Sequence, residues 1–95
     1  MSSAKLDWNA NVESDLAGYR IYRGFGAATP TLLASVGKTI LTYTDATVPN
    51  ISQDVSYNIT AYDTSGNESA HSVTVTKTVD VNPPAAPTGL TVVLL

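Results

Sequence analysis

Val55-Ser56-Tyr57-Asn58-Ile59-Thr60-Ala61-Tyr62 is the stretch that decides the fold. Successive side chains of an extended strand point to opposite faces, so Val55, Tyr57, Ile59 and Ala61 share one face while Asn58, Thr60 and Tyr62 share the other. Apolar–polar alternation of this kind marks a half-buried β-strand, and its β-branched and aromatic residues suit a pleated surface. Turn-forming residues bound it on both sides. Val48-Pro49-Asn50-Ile51-Ser52-Gln53-Asp54 precedes it as a crossing loop, and Asp63-Thr64-Ser65-Gly66-Asn67-Glu68-Ser69 follows as a turn-rich connection.

Moving outward, the same period recurs. Downstream, Ser72-Val73-Thr74-Val75-Thr76-Lys77-Thr78-Val79 alternates again. Upstream, Ile40-Leu41-Thr42-Tyr43-Thr44-Asp45 reads as an edge or near-edge strand, and Thr31-Leu32-Leu33-Ala34-Ser35-Val36 as a short one between Pro30 and Gly37. Tyr19-Arg20-Ile21-Tyr22-Arg23 places Tyr19 and Ile21 inward and Arg20 and Tyr22 outward; Gly24-Phe25-Gly26-Ala27-Ala28 breaks it, and a polar loop over 9–18 precedes it. Lys5-Leu6-Asp7-Trp8-Asn9 sets Leu6 and Trp8 on one face. Thr and Val richness with dispersed Gly and Pro leaves no helical segment. Short strands separated by turns predict an all-β molecule of two packed antiparallel sheets.

Composition narrows the function. A chain of 95 residues with 43% hydrophobic content is one small domain at most. Its net charge is −3, and five scattered Lys and Arg cannot supply the clustered charge that phosphate binding needs, so no nucleic-acid partner is expected. There are no cysteines, which excludes a disulfide framework and thiolate metal sites. No apolar run approaches the ~18–20 residues of a membrane span. Met1-Ser2-Ser3-Ala4-Lys5 lacks the apolar core of a signal peptide, and the chain reads as a piece of a larger secreted or cell-surface protein.

Trp8, Gly18-Tyr19-Arg20-Ile21-Tyr22-Arg23-Gly24, Tyr43-Thr44-Asp45, Tyr57-Asn58-Ile59-Thr60-Ala61-Tyr62-Asp63 and Gly66-Asn67-Glu68-Ser69, in this order, resemble a fibronectin type III domain of the bacterial extracellular type. The resemblance implies an immunoglobulin-like β-sandwich of about seven strands. Residues 5–9 would be strand B, 19–23 strand C, 32–36 strand C′, 43–46 strand E, 55–62 strand F and 72–79 strand G. The family's corner tyrosine would fall on Val55, so its hydroxyl-to-backbone clasp is lost, at about 1 kcal/mol.

Strand A of that family precedes strand B, whereas here its Pro-x-x-Pro-x-x-Leu pattern lies at Pro84-Ala85-Ala86-Pro87-Thr88-Gly89-Leu90-Thr91-Val92. The organisation expected is a sandwich over 1–80 lacking its N-terminal strand, a Pro-rich linker over 81–87, and an A-type strand over 88–95 that completes this or a neighbouring domain. Extended, residues 80–87 reach roughly 25–28 Å, about the length of the strand they must run past, so closure on the same chain is strained. Insertion into the next molecule is favoured, as a head-to-tail polymer built by strand exchange through Pro84, Pro87, Leu90, Val92 and Leu94 on one copy and Leu6 and Trp8 on the other.

No catalytic constellation emerges, and no enzyme, cofactor or metal is expected. His71, the single histidine, has no nucleophile-elbow motif beside it and reads as a solvated residue. Asp63, Asn67 and Glu68 offer oxygens to a cation but lack the alternating pattern of a calcium loop, and a shaped turn fits better. Arg20, Tyr22 and Tyr62 face outward together, as a ligand face for a carbohydrate or a protein partner or as a cross-strand stabilising set. The Asn-x-Ser/Thr matches at Asn50, Asn58 and Asn67 carry no weight in so Ser- and Thr-rich a chain. Two functions remain: a structural module that joins copies head to tail, and a binding module that uses the outer sheet face.

Overall fold

A computed structural model describes residues 2–95. It holds six strands: β1 (Ser2–Asp7), β2 (Leu16–Phe25), β3 (Thr31–Gly37), β4 (Thr42–Val48), β5 (Gln53–Asp63) and β6 (Val75–Val79). They form two antiparallel sheets, a two-stranded one ordered β1-β4 and a four-stranded one ordered β3-β2-β5-β6. The all-β expectation and the placement of the alternating segments in strands therefore stand, with shifted limits. β5 pairs along nearly its whole length with β2, from Leu16 opposite Asp63 to Phe25 opposite Val55.

The core lies between the sheets. Tyr19 and Ile21 of β2 and Val55 and Tyr57 of β5 point into it, as their alternation predicts, with Leu16 and Val48 buried at its ends. Ala4, Leu6 and Trp8 from the β1 side and Tyr43 from β4 pack against it, half-buried. The Trp8 and Tyr19 rings meet at 5.6 Å and 59°, a tilted geometry that suits two aromatic quadrupoles.

The fibronectin type III, immunoglobulin-like sandwich is not what forms. Only six strands are present among the described residues; 88–95 is not a seventh, and residues 81–95 are exposed throughout. A packed globule of this length has a radius of gyration of about 12 Å, whereas this molecule has 19.9 Å and extents of 78 × 27 × 20 Å. The longest strand, β5, spans only ~36 Å, less than half of that long axis. The physical reason is the unequal sheets. Two strands cannot cover four, so the interior stays open along one side and the sheets do not close into a sandwich.

A bulge changes the phase of β4. Between Ser2 opposite Val48 and Ala4 opposite Asp45, β4 carries one residue more than β1. Tyr43 and Asp45 face inward on the ordinary period of two. The extra residue then turns Thr47 outward and brings Val48 in.

Candidate functional site

Three features stand out: a buried polar clasp, a polar cluster on the outer face, and an open trough beside β1.

The clasp is built on Asp45, which is 1% exposed. Tyr57 Oη donates to its Oδ2 at 2.6 Å and Arg23 Nη1 donates to the same oxygen at 2.8 Å. The Thr47 amide and hydroxyl donate to Oδ1 at 3.0 and 2.6 Å. Asp45 lies on β4, Arg23 on β2 and Tyr57 on β5, so this one carboxylate ties the two sheets together. Burial pushes the carboxyl up, but the Thr47, Tyr57 and Arg23 hydrogen bonds outweigh it and hold it down at about 2. Burial and then the Asp45 bond drive the Tyr57 phenol upward. The guanidinium also lies 4.9 Å from the Phe25 ring centroid. Alternation along β5 predicts Tyr57 inward, but nothing in the sequence reading gives Asp45 a role. Its one signal is a carboxylate two residues from Tyr43, on the same phase of the strand. Val55, where the family's corner tyrosine would fall, is simply buried in the core.

On the outer face the structure brings Arg20, Tyr22 and Tyr62 together, and Glu68 organises them. The Glu68 carboxylate accepts from Arg20 Nη1 at 3.1 Å, from Thr60 Oγ1 at 2.5 Å and from the Tyr22 hydroxyl. Those bonds, from Thr60 and Tyr22 foremost, hold it below its ordinary range, and its acceptance of the Tyr22 proton raises that phenol. The Arg20 guanidinium sits 4.4 Å over the Tyr62 ring, and that ring lies across Gly18, where a side chain would collide with it. A ligand on this face would have to displace the carboxylate first. His71 is exposed, yet its Nδ1–H donates to Asn58 Oδ1 at 2.7 Å and its ring meets Tyr22 edge-on at 4.5 Å.

The segment that delivers Glu68 and His71 is irregular for a specific reason. Ser69 and Ser72 each donate their N–H to β5, to the Ala61 and Ile59 carbonyls, at 2.8 and 2.9 Å. Their hydroxyls in turn accept the Ala61 and Ile59 amides at 2.9 and 3.0 Å. Two side chains thus do the work of ladder carbonyls, and β6 begins only at Val75 rather than at Ser72. Asp63 and Asn67 do not join Glu68. The Asp63 carboxylate accepts from the Ser65 and Asn67 amides at 2.9 and 2.8 Å, closing a turn in which Gly66 adopts φ 86°. Among the described residues no group of three or more metal-ligating side chains converges.

The trough runs along β1. Strand β1 pairs with β4 on one edge; among the described residues its other edge has no strand beside it. Between that edge and β6 lie two successive hollows, about 430 Å³ around Leu6, Trp8, Ile59, Val73 and Val75, and about 390 Å³ around Ala4, Val48, Val55 and Val79. Lys5 and Lys77 flank both. Val73 is 83% exposed. Of the residues expected to take part in strand exchange, Leu6 and Trp8 thus border the trough, half-buried, while Pro84, Pro87, Leu90, Val92 and Leu94 stand exposed in the tail. Gly89 there has φ 75°, a conformation open to glycine at no steric cost.

No family model matches the chain, and no curated protein or solved structure matches it either. The fibronectin resemblance therefore has no support from any of these comparisons.

Proposed function

We propose that this chain is a non-catalytic assembly module that joins copies head to tail, residues 88–95 of one copy lying along the free edge of β1 in the next. One observation carries this. The molecule presents an open, apolar-floored trough beside an unpaired strand edge and, elsewhere on the same chain, an exposed uncharged segment over 88–95 that is not engaged in either sheet. If extended, that segment would set Leu90, Val92 and Leu94 on one side at the period of two, toward the apolar floor, and would offer its backbone groups to the unpaired edge of β1.

The poles argue for a neighbour over self-closure. β6 ends beside the start of β1, as Thr78, Val79 and Asp80 line one hollow with Ser2, Ser3 and Ala4. An antiparallel entry along β1 begins at its far end, near Trp8. Residues 81–87 would have to double back over the full length of the slot, and Pro83, Pro84 and Pro87 stiffen them against it.

The energetics set the concentration scale. Three buried apolar side chains contribute on the order of 5–9 kcal/mol, and association costs a similar amount, about 4–15 kcal/mol. These terms nearly cancel, so the ladder bonds decide the surplus, and the range to search for assembly is Kd of about 1 μM to 1 mM. Sedimentation across that range is expected to show mass rising with concentration for the intact chain. The double variant Leu90→Asp, Val92→Asp, altered only in the exposed tail, is expected to stay monomeric. A strict monomer at the highest concentration, with residues 88–95 protected from amide exchange, would show self-closure and overturn the proposal.

A further inference from the structure

The poles that direct assembly also fix how an assembled chain would carry tension. β1 runs from Ser2, opposite Val48, to Asp7, opposite Thr42. β6 runs the other way and delivers Asp80 to the Ser2 end, beside Ser2, Ser3 and Ala4. A donor strand laid antiparallel to β1 enters at the Trp8 end and finishes at the Ser2 end. Antiparallel pairing is the more stable per residue. Parallel entry would also crowd the donor's linker into the pole where the acceptor's own residues 81–87 depart. The two linkers on each acceptor therefore leave from opposite poles.

We infer that the exchanged junction is a force-bearing clamp, loaded along the strand axis so that its backbone hydrogen bonds share the tension together. This rests on the strand exchange proposed above. Pulled from its linker end, the donor strand cannot leave the slot without shearing the whole ladder against β1. Pulled from its far end, it would peel, with each bond breaking alone.

The path onward through the acceptor is short. Load on β1 passes across the ladder to β4, where Ala4 lies opposite Asp45. Asp45 is bonded to Tyr57 on β5, and Tyr57 lies opposite Val75, the first residue of β6. β6 then hands the load to the next linker. Arg23–Asp45 is the one ion pair joining the two sheets among the described residues, so the clasp sits where load crosses from one sheet to the other.

The chain has no cysteine, so single thiol handles can be placed at will. The full chain carrying Asn82→Cys, an exposed position beyond β6 that lines neither hollow, is anchored sparsely enough that neighbours cannot meet. It is offered a synthetic peptide of residues 81–95 bearing its handle at either end. Single-molecule pulling is expected to give a rupture force several-fold higher from the residue-81 end than from the residue-95 end. Equal forces would overturn the inference, and so would the reverse order, which would mean parallel docking. Failure to capture the peptide at all, with either handle, would instead refute strand exchange, and this inference with it.

Discussion

Replacing Asp45 by Asn, at nearly constant volume, removes the one charge that holds the sheets together. In the folded chain the carboxyl stands at about 2, against an ordinary value of 3.8. At 1.36 kcal/mol per unit, that difference contributes about 2 kcal/mol to stability. Asn adds a second loss, because its NH2 group would face donors on Tyr57, Arg23 and Thr47. Breaking a fully buried pair costs about 3–5 kcal/mol, and the Arg23 side chain keeps 20% of its exposure, so the total at pH 7 is expected near 2.5–4 kcal/mol, a fall in Tm of at least ~10 °C for a domain of this size.

The pH dependence carries the sharper check. A carboxyl whose folded pKa is depressed stabilises fully above its unfolded value, and that stability drains away as pH falls through the folded value. The stability gap between the parent chain and the Asp45→Asn variant should therefore be constant above about pH 5 and shrink by about 2 kcal/mol on descending to pH 2 and below. Urea unfolding followed by the fluorescence of Trp8, the single tryptophan, measures both chains at each pH. Comparing them cancels the titration of Asp63 and Glu68, whose pKa values are also lowered. Both should carry Leu90→Asp and Val92→Asp so that association adds nothing to apparent stability. A gap below about 1 kcal/mol at pH 7, or one that does not change with pH, would refute the clasp as described.

Two further substitutions test the local arguments. Gly18→Ala would drive a methyl group into the Val36 carbonyl oxygen and to within 2.8 Å of Tyr62 Oη, costing about 1–3 kcal/mol, whereas Gly37→Ala meets nothing within 4 Å and should fall within about 0.5 kcal/mol of the parent; thermal melts that rank the two equally would discount the close approach. Ser69→Ala and Ser72→Ala remove the acceptors of the Ala61 and Ile59 amides, and each should speed hydrogen exchange at its own amide about fivefold, the equivalent of one hydrogen bond near 1 kcal/mol; unchanged exchange at both would mean the hydroxyls are not ladder substitutes.

How much of this is legible in the sequence depends on whether the cause is local. The alternation in Val55–Tyr62 is local, and β5 forms there with the expected face inward. β2 runs beyond its predicted 19–23 in both directions, because a bulge at its start lets Leu16 pair with Asp63 and the backbone at Gly24 and Phe25 stays extended. β6 falls short of its predicted start because two serine hydroxyls replace its ladder, which no period-of-two count can register. The clasp joins residues 22 and 12 positions apart, and a one-dimensional pattern cannot show which inward residues meet. Glu68 reads in sequence as a cation ligand or part of a turn, yet its partners Arg20, Tyr22 and Thr60 reach it across β2 and β5. The family resemblance misleads in a different way. Its motifs report strands and turns one at a time, and closure into a packed sandwich depends on a strand that the chain leaves out in solvent.

An open β edge beside exposed apolar residues ought to aggregate at random, and the charges around the trough argue why this one would not. Lys5 stands on the free edge of β1, 68% exposed, and Lys77 stands on β6 across the trough. Lys5 pairs with Asp7 at 4.0 Å, and Asp7 and Asp80 line the hollows beside the lysines, so edge-to-edge pairing of two copies would press a charged rim against a charged rim, and charged side chains at strand edges deter that mode. Residues 81–95 contain no Lys, Arg, Asp or Glu. A tail strand can therefore lie between the two lysines without opposing either, and both ammonium groups keep their water on the rim. Under the docking proposed above, the charged rim and the uncharged tail would be complementary parts of one selection, disfavouring a second edge and opposing no charge to the tail.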